Sequence, residues 1–175
     1  MDFLQVEINA AANRHGLKPL DVAAIVSVES SFNPWAWNPE PRYRYLWDTK
    51  QKTPFRPLLP AEILSEYPPK DFHSMYGDPD NEWWGQSCSW GLMQVMGAVA
   101  REHGFQGAYL TQLCDPVINL EYGCKQLAAL FRWSGGEEEP AFAAYNGGKV
   151  GNLHRPFRNQ NYVVKVLAAR SSLKP

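Results

Sequence analysis

The chain lacks most of the features that mark metalloproteins, membrane proteins and nucleic-acid-binding proteins. Its 3 cysteines form no Cys-x-x-Cys pair and its 4 histidines share no four-residue spacing, which argues against a metal site. No segment approaches the roughly 18 apolar residues that a membrane helix needs. The formal net charge of −1 gives no basic surface for nucleic acid. We therefore expect no metal, no cofactor, no nucleic-acid partner and no insertion into a membrane.

The chain does have enough apolar sequence for one folded domain. Hydrophobic residues make up 45% of its 175 residues, so it is expected to bury a core. Apolar residues at helical spacing predict six or seven helices and little strand. The predicted helices are 2–15, 19–29, 60–67, 90–103, 115–134, 137–145 and 159–171. Buried free thiols are expected for Cys88, Cys114 and Cys124, with a Cys114–Cys124 pair as the alternative.

Residues 35–89 differ in character from the rest of the chain. Most of the 14 prolines lie there, interleaved with tryptophan, tyrosine and phenylalanine. A connection this long in a compact domain is usually functional or disordered, and the aromatic content favours order. We expect an ordered insertion beside the functional site, with one short helix at 60–67 and a hairpin near Tyr43–Phe55.

Glu29 stands out because it ends a run that is apolar nearly all round. The predicted helix beginning at Pro19 is therefore a buried helix, and Glu29 emerges at the edge of the core. Burial disfavours the charged carboxylate and raises its pKa, as a general acid requires near neutral pH. The alternative is a glutamate that faces solvent, although a negative charge at a helix C-terminus opposes the helix dipole.

Five segments follow one another in the order of a known family. They are Glu29–Pro34, Gly91–Met96, Asp115–Gly123, Ala144–Gly148 and Asn161–Val163. Together they resemble the soluble lytic transglycosylase domain of the lysozyme-like superfamily, whose members cleave bacterial peptidoglycan. The resemblance implies a mainly α fold of the goose-lysozyme and lytic transglycosylase type with little β. It implies one catalytic domain over 1–175, with a Pro- and aromatic-rich insertion at about 35–89.

The resemblance also implies residue roles. Glu29 would be the single catalytic acid and base. The residues implied to hold it or the substrate are Ser30, Met93, Gln94, Tyr145, Asn146 and Tyr162. Gln94 would hydrogen-bond sugar and Tyr162 would approach Glu29, whereas a plain core position stays open for Met93.

The implied activity is that of a carbon–oxygen lyase acting on a polysaccharide. Cleavage between N-acetylmuramic acid and N-acetylglucosamine would leave 1,6-anhydro ends, with help from the substrate N-acetyl group. One alternative is a goose-type lysozyme that uses water and a second carboxylate. The carboxylates available to it in the insertion are Asp48, Asp71, Asp78 and Asp80. The other alternative is a non-catalytic glycan-binding module.

Two departures from the family pattern accompany the resemblance. The stretch between Glu29 and Gly91 is much longer than usual, and Gly97 replaces a usual proline. Residues 1–7 show no signal peptide. We expect a monomer made in the cytoplasm that acts on the periplasmic wall. It would be released by a holin, as a phage endolysin is, or carried by a larger assembly.

Overall fold

The structure is a computed structural model that describes residues 3–63 and 65–173. Helices account for 52% and strands for 7%, so the prediction of a mainly α fold is confirmed. The described α-helices are α1 Phe3–Arg14, α2 Pro19–Ser30, α3 Pro60–Ile63, α4 Pro79–Gln86, α5 Gly97–Glu102, α6 Pro116–Trp133, α7 Glu138–Gly147 and α8 Gln160–Ser172. Within the described residues, no helix combines the length and the apolar character needed to cross a membrane.

The strands are short and antiparallel. They are β1 Trp37–Pro39, β2 Trp47–Asp48, β3 Thr53–Pro54, β4 Cys88–Trp90 and β5 Val95–Met96. One sheet has the order β1-β4-β5, in which Trp37 pairs with Trp90 and Trp90 with Val95. A separate hairpin pairs β2 with β3, which confirms the hairpin expected near Tyr43–Phe55. The strands are short, but Cys88, Trp90 and Val95 of the three-stranded sheet are buried and belong to the core.

The described residues form two compact units. The helical unit comprises residues 3–32 and 123–173, and the mixed unit comprises residues 33–122. In the helical unit α2 packs against α1 and α8, and α7 packs against α8. The apolar character of α2 on every side explains why Val22, Ile25 and Val26 are fully buried.

The mixed unit is built around a polar and aromatic interior. Glu82 on α4 pairs with Arg101 on α5, and both side chains are almost fully buried. The Gln86 amide exchanges two hydrogen bonds with the backbone of Trp47, which ties α4 to the hairpin. A small apolar cluster of Leu46, Phe72 and Trp83 lies beside them. This unit therefore gains much of its order from specific polar contacts.

Most helices of the helical unit follow the sequence-based predictions. The helices expected at 2–15, 19–29, 115–134, 137–145 and 159–171 are found within one or two residues of those bounds. The expected helix start at Asp2 lies outside the described residues. All three cysteines are buried and none forms a disulfide bond, as expected.

The helix predicted at 90–103 is wrong over its first half. Gly91 and Gln94 have φ angles of 68° and 46°, which an α-helix cannot accommodate. The segment instead forms β4, a turn and β5 before α5 begins at Gly97. The helix predicted at 60–67 spans only Pro60–Ile63; Leu64 lies outside the described residues, and residues 65–67 are not helical. Helix α4 was not predicted, although Asp78 and Pro79 supply its N-cap and first position.

Candidate active site

Glu29 lies in the last turn of α2, where its side chain is half-buried. The Tyr162 hydroxyl, from the first turn of α8, donates a hydrogen bond of 2.6 Å to Glu29 Oε1. Tyr162 is itself 7% exposed, so this donor is held in place by packing. The packing of α2 against α8 therefore fixes the position of Glu29 Oε1.

The electrostatics of Glu29 follow from two opposing effects. Burial raises the pKa of Glu29 above its ordinary value, and hydrogen bonds from Tyr162 and then Asn146 lower it. Burial is the larger effect, so the net direction is upward. The pKa values of Tyr145 and Tyr162 lie well above the ordinary value because both are buried near Glu29. Both phenols therefore remain protonated donors at neutral pH.

Asn146 is oriented by a chain of side-chain amides. Asn159 Nδ2 donates to Asn146 Oδ1 over 2.6 Å, which leaves the Asn146 NH₂ group as the donor toward Glu29. Asn152 is fully buried, accepts from the Asn159 backbone N–H at 3.0 Å and donates to the Gly148 carbonyl at 2.7 Å. A Cβ on Gly147 would lie 3.1 Å from the Asn159 Cβ, so a glycine permits this approach.

The residues just after Glu29 turn the chain sharply. Ser31 caps α2 with a φ of 51°, and its N–H donates to the Ser27 carbonyl at 3.1 Å. Phe32 follows with a φ of 63°. Left-handed backbone at two successive non-glycine residues is uncommon and is often found at functional sites. Ser30 donates its hydroxyl to the Val26 carbonyl at 3.1 Å within the same helix.

Met93 and Gln94 belong to the mixed unit. The Met93 side chain is fully buried, and its N–H donates to Asn119 Oδ1 at 2.7 Å. Gln94 Nε2 donates to the carbonyls of Ala36 and Gly91, and its Oε1 accepts from the Ser89 hydroxyl at 2.9 Å. Both residues therefore have clear parts in holding the turn between β4 and β5.

The structure thus brings four of the seven predicted site residues into one cluster. Glu29, Tyr145, Asn146 and Tyr162 lie together in the helical unit, and Ser30 is next to Glu29 in the chain. Sequence reasoning did not single out Asn152 and Asn159. The segment between α7 and α8 is rich in asparagine and glycine, which is typical of any turn, so composition alone does not distinguish a positioning amide.

In the part of the chain that the structure describes, no group of three or more His, Cys, Asp or Glu side chains is arranged to hold a metal ion. The chemical resources of the cluster are one carboxyl group with a raised pKa, two phenols and oriented amides. Such a set can transfer a proton and can hydrogen-bond a polar, uncharged substrate.

A mainly helical fold with a half-buried acid at a helix end is compatible with the lysozyme-like superfamily named above. A family model described as Transglycosylase SLT domain matches residues 7–165. The chain therefore belongs to the transglycosylase SLT domain family, which confirms the resemblance drawn from its motifs. Membership supports a lytic transglycosylase-type activity on peptidoglycan.

Proposed function

We propose that the protein cleaves the β-1,4 bond between N-acetylmuramic acid and N-acetylglucosamine and leaves 1,6-anhydro ends. The observation that carries this proposal is the state of Glu29: a half-buried carboxyl group with a raised pKa beside a phenol donor at 2.6 Å. A carboxyl group whose pKa lies near the working pH can give up a proton as an acid and then take one back as a base.

In the first step Glu29 gives its proton to the glycosidic oxygen as the bond to the anomeric carbon breaks. Positive charge then develops at the sugar ring, as in other glycoside cleavages. The carbonyl oxygen of the substrate N-acetyl group stabilises that charge. This assistance replaces the second carboxylate of an ordinary retaining enzyme.

In the second step the Glu29 carboxylate takes the proton of the C6 hydroxyl while its oxygen closes onto the anomeric carbon. Glu29 ends as it began, protonated, and no water is consumed. Between the two steps the carboxylate is charged, and the Tyr162 hydroxyl and the Asn146 amide stabilise that charge by hydrogen bonding. We assign Tyr145, Ser30 and Gln94 to substrate contacts on the basis of family membership. The family pattern gives Met93 the same role, but its side chain is fully buried, so we assign it to the core instead.

Three of the four acidic residues named above for a water-using lysozyme have other uses in this structure. Asp48 is buried and accepts the backbone N–H groups of Lys50 and Gln51 at 2.9 and 2.8 Å. Asp71 is paired with Arg56 at 2.6 Å. Asp78 caps α4. Asp48 thus holds a turn, Asp78 holds a helix end and Asp71 is in an ion pair. These roles support a reaction with a single acidic group.

Mass spectrometry of digested peptidoglycan tests the proposal. We expect 1,6-anhydro-N-acetylmuramic acid at the new ends with the natural chain. General acid–base groups contribute about 10²–10⁴-fold each, so Glu29→Gln should remove nearly all cleavage. Glu121→Gln is the matched control, because Glu121 lies on α6 and belongs to no part of the proposed site; it should cleave normally.

The product identifies which alternative holds if the proposal fails. Reducing ends that carry oxygen from ¹⁸O-labelled water would mean a goose-type hydrolase. Binding to walls with no soluble fragments from the natural chain would mean a glycan-binding module. Full activity of Glu29→Gln would remove Glu29 from the chemistry.

A further inference from the structure

The mixed unit contains a pocket whose walls are aromatic. It has a volume of about 280 Å³ and is formed by β1, α4, β4 and the segment around the 3-10 helix Leu110–Cys114. Its aromatic residues are Trp37, Tyr76, Trp84, Trp90 and Tyr109. All of them except Trp90 are about half exposed. None belongs to the proposed Glu29 site.

The floor of this aromatic pocket is fixed before any ligand arrives. The Trp90 indole N–H donates to the Gly85 carbonyl at 2.9 Å, and the ring is 9% exposed. Trp37 stacks on it with ring centroids 6.2 Å apart and an angle of 21° between the planes. The anchored Trp90 ring thus supports the more exposed Trp37 ring, and the stacked pair offers a flat apolar surface at little cost in side-chain entropy.

The pocket has no net charge to offer a ligand. Among the described residues that line it, Glu82 alone is charged, and both of its oxygens are bound by Arg101 at 2.8 Å. The rim instead carries the Tyr76 hydroxyl, the Asn81 amide and the Thr111 hydroxyl, all on exposed residues. The described residues provide no hydrogen-bond partner for these three groups. A neutral ligand with both apolar faces and hydroxyl or amide groups fits such a lining.

We propose that this pocket binds an uncharged N-acetylated sugar ring of the glycan strand, at a position separate from the site of cleavage. Pyranose rings present C–H faces that lie flat on indoles and rims of hydroxyl and amide groups. The volume is at the small end for ligand pockets, which suits a ring and excludes a folded partner segment. The proposal rests on the proposed function, because that function makes a glycan strand of repeated N-acetylated sugars the substrate.

Tryptophan indole signals in ¹H–¹⁵N NMR spectra test the proposal on the Glu29→Gln protein, which cannot consume the ligand. The probe is a neutral tetramer of N-acetylglucosamine. We expect saturable shifts of the Trp37 and Trp84 signals, with no shift of Trp35, which is 73% exposed and outside the pocket. Signals are assigned from single Trp→Phe variants.

Binding to cell walls and cleavage of soluble glycan provide the second readout. The double variant Trp84→Ala, Tyr109→Ala should bind sedimented cell walls at least fivefold more weakly than the parent chain. The Trp35→Ala variant should bind as the parent chain does. Cleavage of short soluble glycan fragments should be unchanged in the double variant. Unfolding transitions of the variants show whether the exposed substitutions leave the fold intact.

Several outcomes would overturn the proposal. Equal shifts of Trp35, or no shift of Trp37 and Trp84, would mean no sugar site. Pocket signals that move only with vesicles of phosphatidylglycerol, or only with rising protein concentration, would mean a lipid or a second copy of the chain. If the pocket binds no sugar but the natural chain still produces anhydro ends, only this inference is wrong. If the pocket binds sugar but the natural chain cleaves nothing, only the proposed function is wrong.

Discussion

Each of the two units holds a glutamate that is at least partly buried, and the two glutamates have opposite surroundings. Glu82 in the mixed unit is bound through both oxygens by the Arg101 guanidinium, and Gln86 donates a further hydrogen bond at 2.9 Å. Glu29 in the helical unit has only neutral donors, Tyr162 and Asn146, among its described contacts. The same side chain is thus a structural anchor in one unit and a candidate acid in the other.

The comparison shows that partner charge, as much as burial, decides what a buried carboxyl group can do. A guanidinium pair fixes the position of a carboxylate through charge-assisted hydrogen bonds. Neutral donors leave the protonated and charged forms close enough in free energy for both to be used. Asp21 follows the Glu82 pattern within the helical unit, since it is buried and pairs with Arg170 at 2.8 Å.

The largest effect is expected when the anchoring pair of the mixed unit is broken. Arg101→Met leaves the Glu82 charge buried without its partner, and removing one partner of a buried pair typically lowers the free energy of unfolding by about 3–5 kcal/mol. Arg56→Met is the matched control, because Arg56 pairs with Glu62 and Asp71 at the surface, where a pair contributes about 0–1 kcal/mol. Urea denaturation measures both.

A double variant sharpens this test. Glu82→Met combined with Arg101→Met removes both charges and keeps apolar volume, so it should recover much of the lost stability. If Arg101→Met unfolds no more readily than Arg56→Met, the pair does not anchor the unit. Glu82 could then no longer be contrasted with Glu29 as a glutamate that serves to stabilise the fold.

The two units also differ in how far the sequence predicts them. Helices such as α2 and α6 carry long periodic apolar patterns with proline at the first position, and these local signals suffice. The acid at the end of α2 could be found for the same reason. The cluster around Glu29 was predicted through the family motifs, and the structure adds its geometry.

The mixed unit resists such prediction because long-range contacts determine its conformation. The residues 90–96 have helical periodicity, yet Asn119 donates to the carbonyls of Trp90 and Leu113 and accepts from the Met93 N–H. Those bonds hold a turn that overrides local preference. The aromatic pocket also depends on long-range contacts, because its lining residues come from segments as far apart as Trp37 and Thr111. No local sequence pattern predicts it.

A smaller effect is expected when Glu29 loses its phenol donor. Tyr162→Phe removes a hydrogen bond to a group that becomes charged, and such bonds contribute about 1.5–3 kcal/mol, which corresponds to roughly 10–100-fold in kcat. The bond lowers the pKa of Glu29, so its loss raises that pKa further. The acid must be protonated to act, so the alkaline limb of the pH–rate profile should move to higher pH.

Tyr67→Phe is the control for Tyr162→Phe, because Tyr67 is 67% exposed and lies in the mixed unit. It should leave the rate and the profile unchanged. A Tyr162→Phe variant with a lower rate and an unmoved alkaline limb would show that Tyr162 contributes to packing or substrate contact and does not tune Glu29. A limb displaced to lower pH would contradict the assigned direction.

The smallest effect is expected one step further from the acid, at Asn159. Asn159→Ala removes the donor that orients the Asn146 amide, and a neutral hydrogen bond contributes about 0.5–1.5 kcal/mol, so kcat should fall roughly two- to tenfold. Because the Asn146 bond also lowers the pKa of Glu29, the alkaline limb should shift in the same direction as in Tyr162→Phe, and by less. Asn161→Ala, which changes an exposed amide in the first turn of α8, should change neither. A rate loss with no movement of the limb would make Asn159 a residue that stabilises the α7–α8 connection only, and the helical unit would then hold its acid with the tyrosine alone.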